Sequence, residues 1–485
     1  MRRREGSRTI GSEMAISETA AAADSVMGEL QRGRGAGYLR AVDLANEEAQ
    51  ELLRECIFHD PRMDRQVESR AKYYATLAYH LSADLEPIAK RLAELDGMVE
   101  GEPTVALALD VLDELGRLGV EPAFELLCDY LRWGAGWGYA VTRALGMPDP
   151  ARQARIARVI EERAPSEEEF ARALQGRDLA GGPWAGLAGQ SALIHEQVVR
   201  ARERMASSKV AGGEREEVVN YDSLTVRQLL AAANSRNSWG LRTRVARMAR
   251  PADVDLLVAS VSSKNLPASF VAFGGLAELA PAEIFEWIKE TSFSAEETPH
   301  VFRAWAWELM AALPAALTLP LARETLNDGD WRKRGLAERV LKRHATVEDV
   351  PLLRAAIAVA LAQAEEEAHY RLCHLADAFD GLPGIGVAPE LVAMFRQSRH
   401  SLGRARAAKA MGITAPEAFR DAYAMECLWD CEAQTRHLGC QWVTVAGASV
   451  RYRLKTLADD RYEVENVRGE AAMRLNPGSL DGRRR

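Results

Sequence analysis

Residues 331–358 read WRKRGLAERVLKRHATVEDVPLLRAAIA, and this stretch decides the fold. It begins as an Arg- and Ala-rich helix, passes through a turn marked by Glu348, Asp349 and Pro351, and continues as a second apolar helix. Neither helix can bury its apolar face alone, so each pair needs a neighbouring pair to stack on. The same arrangement recurs over Arg70–Leu92, Leu266–Ile288 and Trp305–Leu326. Helix starts fall near residues 266, 299, 332, 366 and 402, intervals of 33 to 36 residues. Capping boxes are expected at Ser294 with Glu297, Thr346 with Asp349, and Thr414 with Glu417. Period and capping agree, and that agreement specifies an all-α fold of stacked antiparallel helix pairs, an α-solenoid.

Outward from this region the chain divides into five parts. Residues 1–47, with small residues and the Gly-rich Gly33 to Gly37, read as a flexible lead, and Met14 is a second candidate start within it. Residues 48–174 read as a first helical array. In it Asp60-Pro61 marks a helix start, Tyr73, Leu77 and Leu81 share a face, and Ser166 with Glu169 forms a capping box. Residues 175–222, containing a Gly- and Pro-bearing loop, read as an irregular linker. Residues 223–475 form the second array, and 476–485 a flexible tail.

Of the 485 residues, 47% are hydrophobic and 27% charged, an ordinary soluble composition. The net charge of -8 argues against wholesale wrapping of nucleic acid while leaving room for a local basic patch. Six cysteines make no disulfide framework, and the longest greasy stretch, Leu309 to Ala322, is broken by Pro314 and Pro320. A reducing, cytoplasmic setting with no membrane span is expected.

The chain resembles the HEAT-repeat (armadillo-like) superfamily, including its degenerate bacterial forms. The resemblance is carried by Asp60–Leu95, Leu241–Val261, Arg332–Ala358, Gly403–Phe419 and Glu463–Leu475. Arg404 with Ala407-Ala408 and Arg468 with Ala471-Ala472 match the first-helix pattern. What the resemblance implies is a right-handed superhelix whose concave surface binds other macromolecules, here a protein partner.

No catalytic residue, cofactor or metal is assigned. Phosphate-loop, dinucleotide and nucleophile-elbow motifs are missing from the sequence. The partner-binding candidates are tryptophans and arginines, the residue types that anchor interfaces: Trp133, Trp137, Trp239, Arg242, Arg244, Arg247, Trp305 and Trp307. Trp305 and Trp307 are two apart and cannot both face one core stripe. The enzyme alternative is a DNA-binding protein or alkylated-base glycosylase of HEAT-like type. It would use the arginines from Arg236 to Arg250, with Trp429-Asp430 or Trp305, Trp307 and Glu308. Cys427, Cys431, His437 and Cys440 carry zinc-type ligands, but a single helix over residues 426–442 would spread them too far for one ion. His369, Cys373 and His374 form a second soft cluster, read as structural.

Overall fold

The computed structural model describes residues 21–476 except 60, 66, 96–102, 145–148, 176–178, 180–182, 211–220, 235–236, 262–264, 295–299 and 364–365. Among the described residues every regular element is helical, and no helix is long and apolar enough to cross a membrane. The chain forms two compact units, Met1–Val199 and Arg200–Arg485.

The first unit opens with α1 (Val26–Arg32) and α2 (Gly35–Val42), inside the lead that the sequence reads as flexible through residue 47. Gly33, at φ 69°, is a left-handed cap that ends α1 rather than the start of a loop. The charges of this segment are satisfied internally, with Glu29 pairing with both Arg34 at 3.2 Å and Arg40 at 2.9 Å. Tyr73 and Tyr74 then donate to the carbonyls of Arg34 and Leu30, tying this segment to the array.

Next come α3 (Asn46–Phe58), α4 (Ala71–His80), α5 (Glu86–Leu95), α6 (Pro103–Arg117) and α7 (Glu121–Trp133). They are followed by α8 (Trp137–Ala144), α9 (Pro150–Arg163), α10 (Glu167–Leu174), α11 (Pro183–Ala188) and α12 (Ala192–Val210). The most enclosed of these is α6, which packs on α3, α4, α7 and α8 and fully buries Leu107, Ala108, Val111 and Leu112. No helix starts at Pro61, and Asp60 lies outside the described residues. The buried carboxylate of Glu68 instead organises this loop, accepting from the amides of Met63 and Asp64 and pairing with buried Arg70 at 3.0 Å. The Ser166–Glu169 capping box is formed. The expected irregular linker, 175–222, holds α11 and the whole of α12, and the division between units falls inside α12.

The second unit begins with α13 (Val226–Ala231), α14 (Ser238–Met248), α15 (Val254–Val261), α16 (Leu266–Leu279) and α17 (Pro281–Ser294). It continues with α18 (His300–Ala312), α19 (Ala315–Thr325), α20 (Trp331–His344), α21 (Val350–Leu361), α22 (Glu366–Asp377) and α23 (Pro389–Gln397). The last are α24 (Ser401–Thr414), α25 (Pro416–Ala422), α26 (Ala424–Cys427), α27 (Ala433–Trp442), α28 (Ala448–Asp459) and α29 (Glu465–Leu475). A row of helices, α14, α16, α18, α20, α22, α24, α27 and α29, packs each on the next. The alternate helices α15, α17, α19, α21, α23 and α28 each pack on the following member of that row.

An arginine repeats along the row at 339, 371, 404, 436 and 468, every 32 or 33 residues. Arg339 pairs with Glu308, Arg371 with Glu338, Arg404 with Asp430 and Arg436 with Glu463. The last three pairs are buried. Each arginine therefore needs its partner, because a lone charge in such a site is costly. The capping box at Thr346 and Asp349 is present. The one expected at Thr414 and Glu417 is not: α24 runs through Thr414, and α25 starts at Pro416 from the uncapped Ala415. Glu297, needed for the third box, is outside the described residues.

Candidate functional site

The strongest surface site is built on α14. A pair of asparagines sets its entry: Asn234 and Asn237 each donate a backbone amide to the other's side-chain oxygen, at 2.8 and 3.2 Å. Asn237 Nδ2 further donates to Tyr221 Oη at 3.1 Å and to the Ala232 carbonyl at 3.0 Å. Side-chain amides thus hold the approach to α14.

The inner face of α14, Leu241 and Val245, is buried, and the helix lies close on α16. Gly274 permits that approach, since a Cβ there would stand 2.6 Å from the Arg242 carbonyl oxygen and 2.8 Å from Arg242 Cγ. Replacing Gly274 by valine should cost about 1–3 kcal/mol by overpacking and push α14 off α16. Urea unfolding together with the mobility of a probe on α14 reads both effects, and an unchanged midpoint would refute the close packing.

Trp239 is 58% exposed yet held, its ring edge-on to Phe270 at 5.0 Å. The Arg242 guanidinium lies 5.7 Å from the Trp239 ring centre and 5.2 Å from that of Phe270. Burial lowers the Arg242 pKa from its ordinary value, with Glu308 acting the other way. Further along the helix, Arg244 and Arg247 line a cleft of about 600 Å³ with Tyr221, Asn237, Gly240 and Met248. Among the described residues no carboxylate stands within ion-pair distance of Arg242 or Arg247. Four of the eight residues singled out from the sequence, Trp239, Arg242, Arg244 and Arg247, are thus brought together. Arg236 lies outside the described residues.

The others fare differently. Trp133, at the end of α7, is 46% exposed and packs edge-on against Tyr130 at 4.9 Å. Trp137 is no surface anchor: it is buried against Phe170, with the Arg163 guanidinium 5.5 Å from its ring centre. Trp307 is likewise interior, packed at 5.9 Å against Trp331 and above Gly335, which leaves room for its ring. Both tryptophans fill gaps between helices, the ordinary use of a large flat side chain. The Trp305 side chain lies outside the described residues.

Trp429, Asp430 and Glu308, the residues proposed for base excision chemistry, are each engaged within the fold. Asp430 is buried and held by Arg404 and by the Glu432 amide, while Trp429 lies under Arg453, 4.4 Å from its guanidinium carbon. Glu308 pairs with Arg339.

The chain over 426–442 is not one helix but α26, a turn, and α27. Cys427, Cys431 and Cys440 are buried, whereas His437 bonds to the Asn466 carbonyl and to Gln441. Among the described residues no three His, Cys, Asp or Glu side chains are placed to hold a metal ion. Burial pushes the thiols of Cys56, Cys128, Cys373 and Cys440 up to about 12, so they are not nucleophiles near neutrality. In the second soft cluster, Cys373 Sγ donates to the His369 carbonyl and His374 bonds to Glu338.

One further titratable cluster lies in the first unit, between α6 and α8. Asp110 accepts from Tyr139 Oη at 2.9 Å and pairs with Arg143 at 2.8 Å. One turn away Asp113 pairs with Arg117 at 2.8 Å, while its Oδ1 is buried with no hydrogen-bond partner among the described residues. Burial outweighs Arg117 and pushes the Asp113 carboxyl up to about 7.

No protein-family model matches the chain, and no curated protein matches it significantly. A solved structure of an engineered protein aligns with 90% of this chain and 97% of its own, at 14% identity and a TM-score of 0.19. A score that low carries no argument about fold or function.

Proposed function

We propose that the protein is a non-enzymatic binding scaffold or adaptor, a HEAT-like right-handed α-solenoid that engages a protein partner along its concave face in the cytoplasm. The observation that carries this reading is the exposed Trp239, held against Phe270 beside Arg242 and the Arg244–Arg247 cleft. A rigid aromatic flanked by arginines loses little conformational freedom on binding, which is how interface anchors work. The row of helices stapled by repeated arginine pairs supports the solenoid reading, because each helix is satisfied chiefly by its neighbours in sequence.

Affinity capture of the tagged full-length protein from host lysate, with and without nuclease, tests this. A stoichiometric protein retained in both arms, and depleted at least ten-fold by Trp239→Ala, is the expected result. Retention of nucleic acid alone, lost on nuclease treatment, would replace the scaffold reading with the nucleic-acid one.

A further inference from the structure

We infer that the cleft between α5 and α7, in the first unit, binds a basic amphipathic segment of a partner protein. Its apolar side chains lie on Leu85, Val120 and Leu126, and its lysines or arginines meet Asp84 and Glu86. This goes beyond the scaffold reading: it is a second contact, carried by residues other than those of the Trp239 surface.

The cleft is an open trough of about 730 Å³. Its floor is apolar, made by Leu85 and Ala89 at the start of α5 and by Val120, Pro122 and Leu126 at the start of α7. Carboxylates stand along both walls, Asp84 and Glu86 on one and Glu121 and Glu125 on the other, and no lysine, arginine or histidine lines it. The α7 pair is already engaged by α9, Glu121 with Arg152 at 2.9 Å and Glu125 with Arg155. Asp84 and Glu86 make no ion pair among the described residues, so theirs is the open charge. The wall that carries them is fixed in advance. Ser82, at φ 48°, closes α4 in a left-handed turn, with the Ala83 amide on the Ala78 carbonyl at 2.9 Å. The Asp84 amide donates to Gln50 Oε1 at 3.2 Å, and its carboxylate accepts from the Glu86 amide at 3.0 Å. A wall ordered before binding loses little freedom when the trough is filled. Every lining residue lies in the described chain, which is left only at residue 96, seven positions and about 10 Å beyond Ala89.

The helix starts explain part of this arrangement and not the rest. A first-turn carboxylate favours the positive end of a helix, so Glu86 and Glu121 suit α5 and α7 whatever lies between them. An apolar floor left open between two acidic walls gains nothing from that, and such a patch rimmed by charge marks a contact surface. The walls select the partner by sign. They repel phosphate groups, which sets aside nucleic acid and anionic lipid surfaces, and attract cations. A small hydrated cation would leave the floor uncovered. A lysine or arginine answers both features, since its stem lies along apolar surface while its head reaches the rim. Neighbouring leucine-like side chains then complete the burial.

The test uses the full chain at about 0.15 M salt, where diffuse attraction to an acidic chain is screened, and three fluorescein-labelled peptides in fluorescence anisotropy. The first repeats Leu-Lys-Lys-Leu three times, the second has serine for every leucine, and the third has glutamate for every lysine. The first is expected to bind at least ten-fold tighter than either other. Ala89→Trp, which fills the floor from a half-buried position, should weaken it at least ten-fold. Glu86→Lys, which reverses an open charge, should weaken it at least five-fold. Helical circular dichroism and the unfolding midpoint should be unchanged in both. Equal binding of the serine peptide, or affinity indifferent to both substitutions, overturns the proposal. A loss in Trp239→Ala as large as that in Ala89→Trp puts the peptide on the other surface and overturns it too. A ten-fold gain in affinity when Arg2, Arg3 and Arg4 are replaced by glutamine overturns it in favour of the chain's own basic lead as occupant.

Discussion

Replacing Arg436 by methionine should destabilise the second unit by about 3–5 kcal/mol, close to the whole margin of many domains. Arg436 joins α27 to the loop before α29 through two bonds to Glu463, at 3.0 and 2.7 Å, with both side chains buried. It also donates to the carbonyls of Asp430 and Cys431, at 2.9 and 2.6 Å. Burial is the largest influence on its pKa and acts against the charge, but Glu463, with smaller help from Cys431 and Asp430, more than offsets it and raises the value. Methionine fills much of the same volume, so the loss is that of a charge partner, not of packing. Glu463 loses its cation, and the carbonyls of Asp430 and Cys431 lose a donor.

A double-mutant cycle divides the cost. Glu463→Met in the Arg436→Met background removes the carboxylate that lost its cation and should recover most of the loss. About 1–2 kcal/mol should remain for the carbonyls that lost a donor. Urea unfolding followed by circular dichroism measures each corner, with a constant m-value required for the comparison. An Arg436→Met protein within 1 kcal/mol of wild type would mean that the pair is solvated, and the repeated arginines would lose their role as staples.

The arginines also mark where the sequence stops being readable. Helix starts read from periodicity at 266, 299, 332, 366 and 402 correspond to helices beginning at Leu266, His300, Trp331, Glu366 and Ser401. Apolar spacing and local caps are properties of neighbouring residues, so one chain suffices to see them. Burial of Arg404 is not of that kind. Its partner Asp430 lies 26 residues on, and nothing local separates a buried arginine from a solvated one. The same limit explains the lead at 26–42, where the ion pairs of Glu29 with Arg34 and Arg40 are made across the turn between helices and leave no local periodic sign. It explains Trp137 and Trp307 too, because residue type tells how much area a tryptophan can bury but not which side of its helix faces a neighbour. At the candidate site the arginine run on α14 was legible. The contributions of Tyr221, Asn237 and Gly240 depend on the turn that brings α14 back against the preceding segment. The Asn234–Asn237 spacing was the only local sign of it.

Asp113→Asn should stabilise the first unit by about 2 kcal/mol at pH 8 and by almost nothing at pH 4. Folded, the Asp113 carboxyl titrates at about 7, against an ordinary 3.8, because burial outweighs the pairing with Arg117. The folded state therefore holds a proton between those two values that the unfolded chain has released. Stability then falls as pH rises across that window, since the unfolded state binds fewer protons. The full span is worth at most about 4 kcal/mol, and water entry with local relaxation should reduce it to about half. Asparagine resembles the protonated acid in shape and carries no charge, so it removes the penalty only where wild type is ionised. Its amide also offers donors close to Asp110, which Tyr139 and Arg143 of α8 already hold. Urea midpoints of both proteins at half-unit steps from pH 4 to 8 trace the difference, which should open between about pH 4 and 7. A gap of equal size at every pH would assign the effect to packing, and a gap of opposite sign at pH 8 would show that the ionised carboxylate is stabilised by Arg117 after all.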